Sequence, residues 1–177
     1  MTDFYLLEKI MSRSLFAILL IAIAAFTSQA IAQERAEVLT GTELTRVVPP
    51  GFYYQGLSAS TQLRNSAAAR FGPKRYVVVG MVDTSGYAAD IRAKYEGFFI
   101  TDSAITINGT TLAVGAYGFG FGNDSKLTIV DLSGNDVLRV STTTDKQLKR
   151  PRPLMMTKSG NSVRLYSGRE YAVIAAK

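Results

Sequence analysis

Residues 76–82, Tyr-Val-Val-Val-Gly-Met-Val, form an unbroken apolar run of strand length rich in β-branched side chains. A strand with one wet face alternates apolar and polar positions, whereas a run without alternation suits a strand covered on both faces. The run is therefore expected as the central strand of a sheet.

Turn chemistry marks the other strands. Ile105-Thr106-Ile107 and Thr110-Thr111-Leu112 flank Asn108-Gly109, a pair that tolerates the positive φ angles of a two-residue type I′ turn, so a hairpin is expected there. Further strands are expected at 52–57, 97–101, 126–131, 137–141, 162–166 and 171–175, separated by Gly, Asn and Asp clusters. Their spacing suits a mainly β domain, an antiparallel sandwich or barrel. One short helix is expected near 86–95, because Tyr87, Ala88, Ile91 and Tyr95 recur at helical spacing. Thr84 or Ser85 can cap its start, Gly97 follows its end, and Asp90 and Lys94 stand four apart in the favourable order. A helix between two strands leaves a parallel crossover open. A β-domain decorated by one helix is the preferred arrangement.

The most distinctive stretch is Ala116-Tyr117-Gly118-Phe119-Gly120-Phe121-Gly122. As a strand it puts Tyr117, Phe119 and Phe121 on one face and three glycines on the other. Strand glycines mark a bend, a bulge or the close approach of another group. The ordinary reading is a bent sheet whose aromatic row fills the core while neighbouring side chains cover the glycines. The functional reading is a smooth-walled pocket for a small apolar or aromatic ligand beside Tyr117, Phe119 and Phe121. A phosphate-binding glycine loop fits poorly, since no lysine-serine pair and no helix start follow. The run from Ile107 through Asn108-Gly109 and Leu112 to Gly115-Ala116-Tyr117-Gly118 resembles the hairpin-plus-strand element of uncharacterised exported bacterial β-domain proteins. The resemblance covers about a dozen residues, which hairpin chemistry itself favours. It implies a β fold and export, and it carries no activity.

Export is also expected from the first residues. Arg13 precedes the apolar run Leu15 to Phe26, and Thr27-Ser28-Gln29 leads into Ala30-Ile31-Ala32, the order of a cleavable signal peptide. The apolar run is shorter than the roughly 20 residues a membrane-spanning helix needs, so no stable span is expected after cleavage. Residues 1–32 are thus expected as a leader, with Met11 a possible true start, and 33–177 as a single β-rich domain. The leader carries Asp3 and Glu8 against Lys9 and Arg13, so the net charge of +6 belongs to residues 33–177. Such a charge favours anionic partners. Exported domains without cysteine are commoner in bacterial envelopes than in eukaryotic secretion, which points to a periplasmic or secreted protein.

Composition narrows the chemistry further. The chain has no histidine and no cysteine, which excludes a Ser-His-Asp triad, imidazole acid-base work, thiol nucleophiles and His- or thiolate-ligated metal. Asp83, Asp90, Glu96 and Asp102 could supply a carboxylate pair, but acidic residues at element ends more often serve as caps and turn formers. Asp131-Leu132-Ser133-Gly134-Asn135-Asp136 is dense in oxygen ligands, yet a turn explains it without calcium. No catalytic residue, metal site or cofactor is expected.

One cationic stretch remains, Lys146, Lys149, Arg150 and Arg152. The prolines at 151 and 153 favour an extended course that presents both arginines to solvent, where planar guanidinium donors suit phosphate or carboxylate. A solvated connecting loop is the ordinary reading. The functional one is contact with an anionic envelope surface or an acidic protein. No aromatic residues interleave with these charges for base stacking, so nucleic acid is not expected. The expected function is a non-catalytic exported module, structural or partner-binding, with a small-ligand carrier as the alternative.

Overall fold

The computed structural model describes residues 35–177, and the expected leader lies outside them. Fourteen strands follow in chain order among the described residues. The first seven are β1 (Ala36–Leu39), β2 (Gly51–Tyr54), β3 (Leu57–Phe71), β4 (Tyr76–Val82), β5 (Gly97–Thr101), β6 (Ile105–Ile107) and β7 (Thr110–Leu112). The rest are β8 (Gly115–Gly122), β9 (Lys126–Val130), β10 (Asp136–Ser141), β11 (Thr143–Thr144), β12 (Arg152–Ser159), β13 (Ser162–Gly168) and β14 (Glu170–Ala176). Two helices interrupt them, α1 (Gly41–Val47) between β1 and β2, and α2 (Ala89–Arg92) between β4 and β5.

The strands form two antiparallel sheets in a sandwich-like arrangement. The first runs β1-β3-β4-β5-β8-β9-β10 with β2 added to β3, and the second runs β12-β13-β14-β6-β7 with β11 added to β14. Their inner faces share one core, in which Phe71, Val77, Val79, Phe99, Phe119 and Ile129 of the first sheet meet Ile107, Leu154, Val163, Leu165 and Ile174 of the second. The first sheet is also covered on its outer face. There Val78, Val82, Phe98 and Val130 pack with Tyr54, Ala59, Tyr87 and Tyr95. This double coverage accounts for the unbroken run in β4: Val77 and Val79 enter one core, Val78 and Val82 the other. β4 lies inside the sheet between β3 and β5.

The hairpin at Asn108-Gly109 forms at the expected register, with φ of 47° and 83° at the two turn residues. Asn108 also joins the sheets. Its Nδ2 donates to the Ser141 carbonyl of β10 at 2.7 Å, and its Oδ1 accepts the Val173 N–H of β14 at 2.7 Å.

Several expectations need correction. The strand expected at 52–57 is two strands: a turn with positive φ at Gln55 and Gly56 ends β2 and starts β3. The helix expected near 86–95 shrinks to α2, and α1 is a second helix that periodicity did not mark. Neither Thr84 nor Ser85 caps α2. Ser85 instead donates its N–H to Asp83, Tyr87 N–H reaches the Thr84 carbonyl, and Ala88 precedes the helix without a side-chain cap. Tyr87 and Tyr95 still bury their rings on the sheet, so the periodic apolar face is real although only Ala89–Arg92 of its backbone is helical. Lys94 reaches Asp136 at 3.9 Å, across to another element. The segment is no parallel crossover, because β4 and β5 are antiparallel.

The largest omission is β3, a 15-residue strand containing one β-branched residue. Ala68 and Ala69 are fully buried and pair with Val78 and Val77, so the bulk that fills the space stands on the neighbouring strand. Strand preference here follows packing more than residue type.

Candidate functional site

The aromatic row packs against the inter-sheet core. Phe119 is fully buried in the inter-sheet core, with Tyr117 and Phe121 packed against it. On the glycine side the sheet is closed tightly at Gly118, while Gly120 and Gly122 border a small cavity of ≈ 70 Å³ beside Lys94 and Arg139. The Tyr54 and Tyr95 rings stack with centroids 3.9 Å apart, and a Cβ at position 118 would meet Tyr95 at 3.0 Å and Tyr54 at 3.1 Å. A Cβ at position 120 would collide with the Lys94 carbonyl. The alternation of ring and glycine thus follows from two unequal layers pressed on one strand.

The basic stretch is more structured than a solvated connector. Residues 145–151 join β11 to β12 and fold over the outer face of the second sheet. Asp145 ties the start: its N–H donates to the Arg169 carbonyl, its Oδ2 accepts the Tyr166 hydroxyl at 3.0 Å, and its Oδ1 accepts the Gln147 N–H at 2.9 Å. Arg169, in the turn between β13 and β14, closes the fold by donating from Nη1 to the carbonyls of Asp145, Lys146 and Leu148, the last at 2.6 Å. An arginine bridging three carbonyls gives the loop one shape.

Beneath the loop lies an open concavity of ≈ 670 Å³, walled by Lys146, Gln147, Leu148 and Lys149 and floored by Arg164 and Tyr171. Inner positions of β13 and β14, Val163, Leu165, Ala172 and Ile174, fill the core, which leaves Arg164 and Tyr171 on the outer face. The Arg164 guanidinium sits 4.8 Å from the Tyr171 ring centroid, a cation–π arrangement that holds it in place. Hydrogen bonding to Tyr166, then the field of Tyr171, favours its protonated form, and its Nε is shut off from solvent without a partner among the described residues. Three cations, Lys146, Lys149 and Arg164, thus line one concavity. The one carboxylate in the lining, Asp145, accepts from Tyr166 and Gln147, and its charge also favours the protonated Arg164.

Of the four cations expected to contact an anion, the fold places Lys146 and Lys149 in this concavity. Arg150 is exposed on the same loop, outside its lining. Arg152 opens β12 and points elsewhere, donating from Nη2 to the Arg64 carbonyl at 3.4 Å. Arg164, Arg169 and Tyr171 were not singled out. One signal existed: Val163-Arg164-Leu165 puts a cation at the outward position between two buried strand residues.

Three of the four carboxylates considered for catalysis have local hydrogen-bonding tasks. Asp83 accepts the Ser85 N–H, which lowers its pKa, and Asp102 accepts the Tyr76 N–H at 2.7 Å. Asp90 lies in the first turn of α2. Glu96 is partly buried and raised in pKa chiefly by that burial, with the Phe121 N–H on its Oε2 opposing the shift. Asp131 accepts two backbone N–H groups and the Asn135 amide, all at 2.9 Å, so its oxygens are spent on a turn and its pKa is lowered. Among the described residues no group of three His, Cys, Asp or Glu is placed to hold a metal, and no helix is long and apolar enough to cross a membrane. Comparison with protein-family models, curated proteins and solved structures found no match.

Proposed function

We propose that this chain is an exported, non-catalytic binding module of the bacterial envelope or extracellular space. It holds an anionic polymer in the concavity beneath residues 145–151. The observation that carries the reading is that Lys146, Lys149 and Arg164 line one site against a single carboxylate, Asp145. A net charge of +6 draws polyanions from a distance, and the site supplies the short-range donors. A preformed loop also binds without first losing loop entropy. Export rests on the leader pattern at residues 1–32, and a non-catalytic role rests on a composition without histidine or cysteine.

Fluorescence anisotropy with a labelled long-chain polyphosphate tests the reading. Lys146→Glu and Lys149→Glu together, and Arg164→Gln alone, are each expected to weaken binding at least tenfold, and added salt to weaken the wild type steadily. Unchanged affinity in both variants would sink the proposal.

A further inference from the structure

We infer that a second cleft, at the seam where the two sheets meet without strand pairing, binds an aliphatic carboxylate: the acyl chain at the mouth between the sheets, the carboxylate on Arg152. β12 is hydrogen-bonded to β13 on one side only, and its other side packs against β1 and β3 of the first sheet. The two strands opposite it do not cover the seam throughout. β1 stops at Leu39, paired with Ala68, and the chain turns away into α1 through Gly41, whose φ is +55°. The preceding stretch of β3 is distorted: Thr61 pairs with Val82 and Ser66 with Gly80, so the strand carries extra residues between them. The β12–β13 register is also irregular between Arg152 and Met155. Both irregularities border the same cleft, and bulges recur where a sheet is reshaped around a site.

The result is an opening of ≈ 230 Å³ beside Ser66 and Ala67, with Leu44 of α1 and Leu154, Met155 and Met156 of β12 as apolar walls. Leu154, Met156 and Ala67 belong to the inter-sheet core, so the cleft is a mouth of that core. Ligand clefts are lined mostly by apolar side chains with a few placed polar groups, and unbranched methionine adapts to a flexible chain. Arg152 is the one charged residue in the lining. Its bond to the Arg64 carbonyl, 3.4 Å long, leaves the rest of the guanidinium fork for a carboxylate. A single cation beside an apolar mouth matches a ligand with one anionic head and an aliphatic tail. Polyanions suit the concavity at Lys146, Lys149 and Arg164, which lies apart from this cleft.

The test is NMR of the methionine methyl groups, with calorimetry, as acetate, butyrate and octanoate are titrated. Octanoate is expected to shift the Met155 and Met156 methyls saturably, with affinity rising up to about fourfold per added methylene until the cleft is full. Arg152→Gln is expected to weaken octanoate at least tenfold and leave 1-octanol unchanged, while Lys149→Glu leaves octanoate binding as it was. Ala67→Leu fills the cleft and abolishes binding. Should that variant fail to fold, Leu44→Glu on the helix wall repeats the test with an opposing charge. Three outcomes overturn the inference: no shift at either methionine, acetate and octanoate binding equally, or octanoate lost with Lys149→Glu and kept with Arg152→Gln. The last would also show the basic concavity taking monoanions. Loss of polyphosphate binding alone would leave this cleft untouched.

Discussion

Arg169 donates to the Leu148 carbonyl at 2.6 Å and, through the same Nη1, to the carbonyls of Lys146 and Asp145. One side chain from a turn thus sets the shape of a loop more than twenty residues away. Arg169→Ala is expected to cost only about 1 kcal/mol, because these bonds are solvent-exposed. It should nonetheless speed amide exchange across 145–149 and weaken polyphosphate binding severalfold. Arg169→Lys should not restore either property, since a point-charge ammonium does not reproduce the guanidinium fork. Exchange rates matching wild type in the alanine variant would show that the loop holds itself.

Asn108 combines two roles that substitution can separate. Glycine keeps the positive φ of the turn and loses both side-chain bonds to Ser141 and Val173, at an expected cost of about 1–3 kcal/mol. Alanine loses the same bonds and adds backbone strain at φ 47°. Urea unfolding should rank wild type above Asn108→Gly and Asn108→Ala last; equal midpoints for the two variants would remove the turn contribution.

Gly120→Ala places a methyl where the Lys94 carbonyl already lies. Backbone must move to admit it, so a loss of about 1–3 kcal/mol is expected, with near-ultraviolet circular dichroism reporting disturbed tyrosine packing. A fully stable variant with wild-type spectra would contradict the contact.

Burial raises the Glu96 carboxyl above its ordinary value of 4.5. The native state therefore prefers the protonated form, and the carboxylate costs stability at neutral pH. That cost fades as pH falls through the raised folded value and is gone below the unfolded one. Glu96→Gln keeps an acceptor for the Phe121 N–H and removes the charge. Its Tm is expected to exceed wild type at pH 7 and to match it near pH 3. The same difference at both pH values would rule out a buried charge as the cause.

Half of the candidate site was legible in the chain. Lys146 and Lys149 stand in an obvious basic stretch, whereas Arg164 and Tyr171 sit alone among strand residues and gain meaning only when β13 and β14 bring them under the loop. Arg152 shows the converse. Sequence proximity groups it with the lysines, but its place at the start of β12 turns it towards Arg64 and the seam between the sheets.

The sequence by itself determined the β class, the turn at Asn108-Gly109, the apolar strand Tyr76–Val82 and the chemistry that a chain without histidine or cysteine forgoes. These follow from local backbone preference and from side-chain period, which neighbouring residues carry. Only the tertiary structure decided that Leu57–Phe71 is a strand, that Tyr54 and Tyr95 stack above Gly118, and which cations share a cavity. Those outcomes depend on what a distant segment places opposite each residue, and packing across two sheets leaves no periodic trace in either one alone.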